Sequence, residues 1–505
     1  MEEKMVNIKK TLGIFAVVAM FAIITFYLND AYFNALEAKA LSVMALFIIF
    51  NVLSALFTVV LFIKVKPQDY LKPVFDNFAP YDHAIIVFGV LSILSNMLST
   101  YMKESFYGSY AWLIGTLFVL LSITAYLFLS NNIEYNQWVI IIIAAAITLE
   151  SIWIILNFIK VDLFYYHAYL AEEDIVRYVG SIGNVNWYVG FFALCMPIIF
   201  MMSIYAHNIY AKVGLTISLV ITFWTGFTCN SDGAFLAMFF IMAGFVFYGL
   251  GNKKLLISVF LRLAILYGSL GILEIIYRFM DHTELDGYAG AILESHAYLI
   301  VFILCLALTV VSKMLNKDVY NNISKKAQIG FLIIIAVAAL ALFLSQIPKF
   351  SETYGHNRGR TWIAAFKTFK GLPVIKKFFG TGLSTFGYYY EDITGSDWVR
   401  NAHNEYIEYL ITTGIAGITA LLVAAISIIV IGIKNVLNAN KTMPFIINVT
   451  CFISLMAYMG QAFVNNPQGL NIGILVVVLA FFKWSCFTIK DELVKREKKS
   501  LKEEE

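Results

Sequence analysis

The sequence predicts an all-α polytopic membrane protein of about fourteen transmembrane helices, with one large basic extracytoplasmic loop before the twelfth. Three observations predict it. Of 505 residues, 60% are hydrophobic and only 14% charged, where soluble domains carry about 25% charge. Apolar runs of about twenty residues, the length that crosses a bilayer, recur from end to end. Lysine and arginine are also distributed unevenly between alternate connecting segments. A water-soluble enzyme is excluded, because so apolar a chain exceeds what one soluble core holds.

The predicted spans are 11–28, 41–63, 83–101, 111–130, 138–159, 187–206, 213–229, 233–250, 255–274, 291–311, 328–346, 415–433, 445–464 and 470–486. Breaks coincide with charge or with helix breakers such as Pro67, Pro80 and Gly251. The first run lacks a small-residue cleavage site and reads as a retained helix. With the N-terminus in the cytoplasm, the inner segments hold Lys9, Lys10, Lys212, Lys253, Lys254, Lys313 and the lysine-rich tail, among others. The outer ones, apart from 347–404, hold only Lys39, Lys103, Lys160, Arg177 and Arg278. Both termini are therefore expected inside. The chain divides into an N-terminal helical part (1–180), a core (181–435), C-terminal spans (436–489) and a charged cytoplasmic tail (490–505). Five cysteines, none in a CxxC pair, lie in or at the ends of apolar runs and read as small buried hydrophobes.

The long loop 347–404 departs from the charge rule. It holds Lys349, Arg358, Arg360, Lys367, Lys370, Lys376, Lys377 and Arg400, with no acidic residue between Glu352 and Glu391. Long loops translocate despite their charge, so it reads as an outward-facing anion site rather than a purely lipid-tethered segment. Within it, 360–370 has the pattern of an amphipathic helix, with Trp362, Phe366 and Phe369 on one face and Arg360, Lys367 and Lys370 on another. Tyr388 to Tyr390 form an aromatic cluster suited to sugars or to a membrane interface.

Few residues have the chemistry for a reaction. His403, where the loop re-enters the membrane, has an imidazole able to take a proton from a hydroxyl near neutral pH. Asn404 is a plausible helix cap, followed by Glu405 and Glu408, which are placed to orient the histidine. Arg358 and Arg360 carry permanent charge in the geometry that grips phosphate. Arg262 lies mid-span, where an ionisable group is costly; it reads as paired with a buried carboxylate or as a further phosphate cation. Trp362, Asn404 and Tyr406 are the candidates for holding a sugar or acceptor. Asp281, Glu284 and Asp286 form an outer acidic cluster, read as solvated rather than metal-binding. No Walker loop, HExxH or trusted acidic metal pair occurs.

Four segments in order then resemble the superfamily of O-antigen ligases and O-antigen polymerases. They are Gly183-Asn184-Val185-Asn186, the Asn230-Ser231-Asp232-Gly233-Ala234 turn, Arg358-Gly359-Arg360-Thr361-Trp362 with Gly380-Thr381-Gly382, and Ala402-His403-Asn404 with Gly414-Ile415-Ala416-Gly417. The resemblance spans roughly residues 180–435. It implies a bacterial cell-membrane glycosyltransferase that moves a glycan from undecaprenyl diphosphate, at the outer face, to a lipid, wall or glycan acceptor. Neither metal, nucleotide nor other cofactor is implied, and nucleic acid is no partner. By the same resemblance His403 is the essential histidine, and Arg358 or Arg360 the loop arginine near the diphosphate. Two residues depart from the pattern: Asp232 stands where arginine is common, and Val185 where proline is usual. Arg262 is the candidate to replace the missing cation. The rival reading is a lipid-linked oligosaccharide flippase, for which repeats and midplane polar residues in broken helices are expected.

Overall fold

The computed structural model describes residues 2–504 apart from 64–65, 172–174, 176, 280–286, 396–398 and 439–441. The acidic cluster Asp281, Glu284 and Asp286 lies outside the described residues. The chain is helical almost throughout. Its first half runs α1 (Glu2–Ala19), α2 (Ala35–Phe62), α3 (Pro67–Asp76), α4 (Pro80–Met97), α5 (Met102–Tyr107), α6 (Thr116–Asn132) and α7 (Gln137–Phe158). A short hairpin of β1 (Tyr178–Val179) and β2 (Gly183–Asn184) then leads into α8 (Val185–Tyr205), α9 (Ile209–Thr228), α10 (Asp232–Gly249) and α11 (Lys253–Phe279). After these come α12 (Gly287–Glu294), α13 (Ala297–Met314), α14 (Lys317–Gln346), α15 (Tyr354–Gly371), α16 (Val374–Phe379) and α17 (Phe386–Thr394). The last four are α18 (Glu405–Thr412), α19 (Gly414–Leu437), α20 (Met443–Gln461) and α21 (Gly469–Glu504).

Among the described residues, twelve helices are long and apolar enough to cross a membrane: α1, α2, α7 to α11, α13, α14 and α19 to α21. This is an integral membrane protein. The other two predicted spans, 83–101 and 111–130, coincide with α4 and α6. These run between the same two ends of the bundle; α6, at 17 residues, is an apolar helix just under the length of the twelve, and α4 is not among them. Residues 490–504, expected as an exposed tail, continue α21 as helix.

The connections sort to two opposite ends. At one, Tyr32 Oη donates to the Gly180 carbonyl (2.9 Å), Ser109 N to Ser384 Oγ (3.0 Å) and Asn465 Nδ2 to the Asn186 carbonyl (2.6 Å). At the other, Lys10 pairs with Glu134 (2.6 Å), Lys483 with Asp82 (3.0 Å), and Lys253 donates to the Lys313 carbonyl (2.9 Å). The residues these bonds join at the first end all come from segments that charge counting assigned to the outer face. Glu150, buried inside a span, is satisfied locally, as lipid demands. Glu150 accepts from Ser181 Oγ (2.6 Å) and from the amides of Ser181 (2.9 Å) and Ile182 (3.2 Å), which ties α7 to the hairpin turn.

The basic loop is a folded cap, not a loose segment. Ala364, Ala365, Phe386, Tyr390, Val399, Ala402 and Ile411 form its own small core. The segment Gly380-Thr381-Gly382 lies backbone to backbone against the α18–α19 junction. Thr381 N donates to the Ile411 carbonyl (3.1 Å) and Gly382 N to that of Thr412 (2.9 Å). Gly380 (φ +91°) and Gly414 (φ +70°) make this approach possible. A Cβ on Gly380 would strike the Thr412 carbonyl, and one on Gly414 that of Phe378. The family-like glycines therefore close a clasp.

The cap's packing extends one reading and corrects another. The helix expected over 360–370 is the longer α15, and its buried face is Thr361, Ala364, Ala365 and Thr368. Small residues are what let α17 approach closely, so Phe366 is left exposed while the cations Arg360, Lys367 and Lys370 face outward as expected. The tyrosine cluster packs within the protein: Tyr388 stacks on Tyr101 (4.5 Å between centroids), Tyr389 Oη accepts from Lys376 (3.1 Å), and Tyr390 is in the cap core.

Candidate active site

The four family-like segments, up to 230 residues apart in sequence, converge at the cap end. Asn184 caps α8 by accepting from Asn186 N (2.9 Å), which makes a side-chain cap where proline is usual at the next position. Asn186 Oδ1 accepts from Ser231 Oγ (2.9 Å), which draws the 230–234 turn to the start of α8. From that turn, Asp232 reaches Arg358 (Oδ2 to Nη1, 3.4 Å). Trp362, one turn further along α15, donates Nε1–H to the Ala402 carbonyl (3.0 Å), next to His403.

The two arginines are thereby distinguished. Positions 358 and 360 are about 200° apart around a helix. Arg358 points inward, its side chain 14% exposed, while Arg360 is exposed to solvent. Burial lowers the pKa of the Arg358 guanidinium and the Asp232 carboxylate partly restores it. It stays a cation at any physiological pH. Arg262 is elsewhere: its Nε donates to Ser203 Oγ (2.8 Å), its Nη1 to the Ser258 carbonyl (3.1 Å) and its Nη2 to the Ser203 carbonyl. Those partners lie in the half of the bundle away from the cap, so Arg262 holds α11 to α8 rather than replacing a cation beside Arg358. No carboxylate pairs with it among the described residues.

His403 sits on a backbone fixed at every neighbour. Its own amide donates to Asn401 Oδ1 (3.2 Å), Ala402 N to Glu408 Oε2 (2.8 Å) and Glu405 N to the Ala462 carbonyl (2.9 Å). Asn404 caps α18, accepting from Ile407 N (3.0 Å), and its amide donates to the Phe463 carbonyl (2.9 Å). Tyr406 Oη donates to the Met459 carbonyl (2.7 Å), with its ring 4.4 Å from that of Phe463. Both Asn404 and Tyr406 thus spend their polar atoms on the fold; Trp362 does likewise with Nε1. The histidine itself adopts φ +48°, a left-handed conformation uncommon for a residue with a Cβ. Its half-buried imidazole accepts or donates no hydrogen bond among the described residues. Burial first, and the Arg358 charge second, push its pKa down to about 4. The ring is neutral at pH 7 and available as a proton acceptor.

Neither expected carboxylate orients it. Glu405 accepts from Tyr458 Oη (3.0 Å) and Glu408 from Ala402 N. Burial pushes both up to about 8, so both are largely protonated at neutral pH. The shifts act oppositely on stability. The unfolded chain loses these two protons near 4.5, the folded chain near 8, so their contribution fades as pH rises through that interval. His403 contributes fully above 6.5 and its share is lost as pH falls toward 4. Activity is expected to rise through an acid limb near pH 4 and to fall through an alkaline limb near pH 8, as buried carboxylates ionise beside the site. The double change Glu405→Gln and Glu408→Gln should remove the alkaline limb and leave the acid one; a rate-against-pH profile checks it.

Sequence reading missed the 461–468 segment. Asn465 Nδ2 bridges the Asn186 carbonyl and Gln461 Oε1 (2.7 Å), and Asn466 Nδ2 is buried without a partner. Asn466 faces a cavity of roughly 30 Å³ shared with Glu408, Asn401 and Trp112, room for about one or two waters. The signal was a polar run, Asn465-Asn466-Pro467-Gln468, between two apolar spans. No three His, Cys, Asp or Glu side chains gather as metal ligands among the described residues.

Below His403 an apolar groove of about 400 Å³ descends between α10, α19 and α20. Tyr406 and Phe463 form its upper lip; Phe240, Ile418, Leu422, Ile426 and Met456 line it further down. From Ile418 to Ile429 it follows α19 for about 16 Å, about half of a bilayer's hydrocarbon thickness. Leu422, Ile426 and Phe463 are 43%, 58% and 53% exposed, so the groove opens sideways. Gly460 leaves room for Phe240 to lie against α20.

No curated protein matches the chain. Residues 287–422 match the family model described as O-antigen ligase. The match takes in Arg358, the clasp glycines, His403 and the first turns of α19, while the Asn184 and Asp232 segments lie outside it. The geometry above joins those outlying segments to the matched ones at a single site. That match over 287–422 is what the chain shares with O-antigen ligases, and it supports the O-antigen ligase superfamily for this protein.

Proposed function

We propose that the protein is a membrane glycosyltransferase that moves a glycan from a polyprenyl diphosphate, undecaprenyl diphosphate in a bacterial cell membrane, to a hydroxyl of a lipid, wall or glycan acceptor. The observation that carries this is the nearness of three chemistries: an inward-facing cation whose charge acts on His403, a neutral histidine, and an apolar groove the depth of one leaflet lined by Tyr406, three residues on. Arg358 meets the diphosphate, the prenyl chain occupies the groove beneath Tyr406 and Phe463, and the sugar at the head of the carrier lies beside His403. The acceptor hydroxyl attacks the anomeric carbon from the face opposite the diphosphate. His403 takes its proton as the new C–O bond forms. The bond from that carbon to the phosphate oxygen breaks, its electron pair stays on the diphosphate, and Arg358 stabilises the charge as it develops. The configuration inverts, and the imidazolium returns its proton to solvent. No nucleotide enters this scheme. The cap end faces outward in this reading, with both termini in the cytoplasm, as the charge asymmetry supports.

The test uses the purified chain in vesicles with a polyprenyl-diphosphate-linked glycan and an acceptor, without added nucleotide. Expected is carrier-free glycan joined to the acceptor lipid, which is ligase chemistry, or a lengthened glycan still on its carrier, which is polymerase chemistry. Movement of intact donor between leaflets with no bond exchanged would identify a flippase and overturn the proposal.

A further inference from the structure

The helix α20 has a second apolar cavity on its other face. Ile447, Thr450, Cys451 and Ser454 repeat at three and four along one side, and Met456, Met459 and Gly460, which line the groove under His403, fall on the opposite side. This second cavity measures about 430 Å³ and is walled by α7, α8, α9, α20 and α21, with Phe21 just past the end of α1. Ile140, Met201, Leu215, Ile447 and Val478 give its character. It begins at the bundle end away from the cap, at Gln137, His207, Asn208 and Met443, and reaches Ser454, about 16 Å along α20.

Its chemistry selects an occupant. The serine and threonine hydroxyls in its wall are committed: Thr450 donates to the Ile446 carbonyl (2.7 Å) and Ser454 to that of Leu194 (2.8 Å). Water needs two to four polar partners to stay in such a space, so the complement is hydrocarbon. The depth, again about half of the hydrocarbon thickness, fits a chain from one leaflet. The mouth differs from the body. There α7, α9 and α20 all begin, at Gln137, Ile209 and Met443. Asn136 and Asn208 already cap the first amides of α7 and α9, so the cation at the mouth is Lys212, exposed next to Ala211 at the rim. A tail in an apolar slot with an anion above it describes a phospholipid.

We propose that this cavity holds one acyl chain of a membrane phospholipid from the leaflet opposite the cap, with its phosphate beside Lys212 at the start of α9. The site is separate from glycan transfer and does not depend on it. By wedging between α20 and α7 to α9, the lipid supports the helix whose far end carries Phe463 and Gln461.

The full chain is reconstituted in vesicles of phosphatidylethanolamine and phosphatidylglycerol containing a trace of phosphatidylglycerol with a photoactivatable group in its acyl chain. After illumination, mass spectrometry of the peptides is expected to place the label on 443–454 and on the first turns of α9. Excess polyprenyl phosphate should leave that labelling unchanged. Ile447→Trp and Leu215→Trp should each cut it roughly tenfold, because an indole fills the apolar volume that holds the chain. Label scattered over outward-facing helices such as α14, or displacement by polyprenyl phosphate, would overturn the proposal. The wild-type map decides this even if a tryptophan variant fails to fold.

Discussion

Replacing His403 by alanine is expected to lower glycan transfer by about 10²–10⁴-fold, the range over which a positioned general base acts. The amount of folded protein in the membrane should be close to normal. The imidazole is tied to no other side chain, and the tight bonds around it belong to the backbone of Asn401, Ala402 and Glu405. Alanine at φ +48° keeps the strain already present rather than adding to it. The acid limb near pH 4 should vanish with the histidine, since burial and Arg358 set that value on this ring. Transfer by a reconstituted variant, measured against pH, checks both statements. A variant that keeps full rate and the acid limb removes His403 from the mechanism.

The second large effect separates the arginines. Arg358→Ala should cost about 10²–10³-fold in transfer, as loss of a cation aimed at developing phosphate charge does. It also leaves the Asp232 carboxylate, 34% exposed, without the partner it has in the native chain. That carboxylate then repels the donor, so Arg358→Ala with Asp232→Ala should recover part of the loss. Arg360→Ala should change the rate by less than about threefold, because a solvent-exposed charge contributes little. Initial rates at saturating donor, with the three variants side by side, check this. Equal losses at 358 and 360 would mean that the inward orientation of Arg358 does not matter.

Much of this was legible in the sequence. The spans could be read because lipid rewards long apolar runs regardless of their neighbours, and lysine counts in short connections gave the grouping of ends later seen in pairs such as Lys253 with Lys313. Asn404 announced itself as a cap through the two glutamates behind it, and caps α18. What the sequence hid was pairing between distant segments. Asp232 looked like a missing cation, yet its role is set by Arg358, which stands 126 positions later. Arg262 looked available because mid-span charge draws attention, but its partners are a serine and two carbonyls that no motif marks. Tyr388 to Tyr390 carry the composition of a sugar platform, and only packing shows them facing Tyr101, Lys376 and the cap core.

The sideways opening of the groove at Leu422, Ile426 and Phe463 sets how a substrate arrives. With the cap clasped to the bundle by backbone bonds, a long hydrocarbon has no need to pass through water. On the proposed function, the carrier drifts in the plane of the bilayer until its tail slips between α19 and α20. The quantity that governs encounter is then the number of carriers per unit area of membrane, so dilution into detergent slows the protein even at constant bulk concentration.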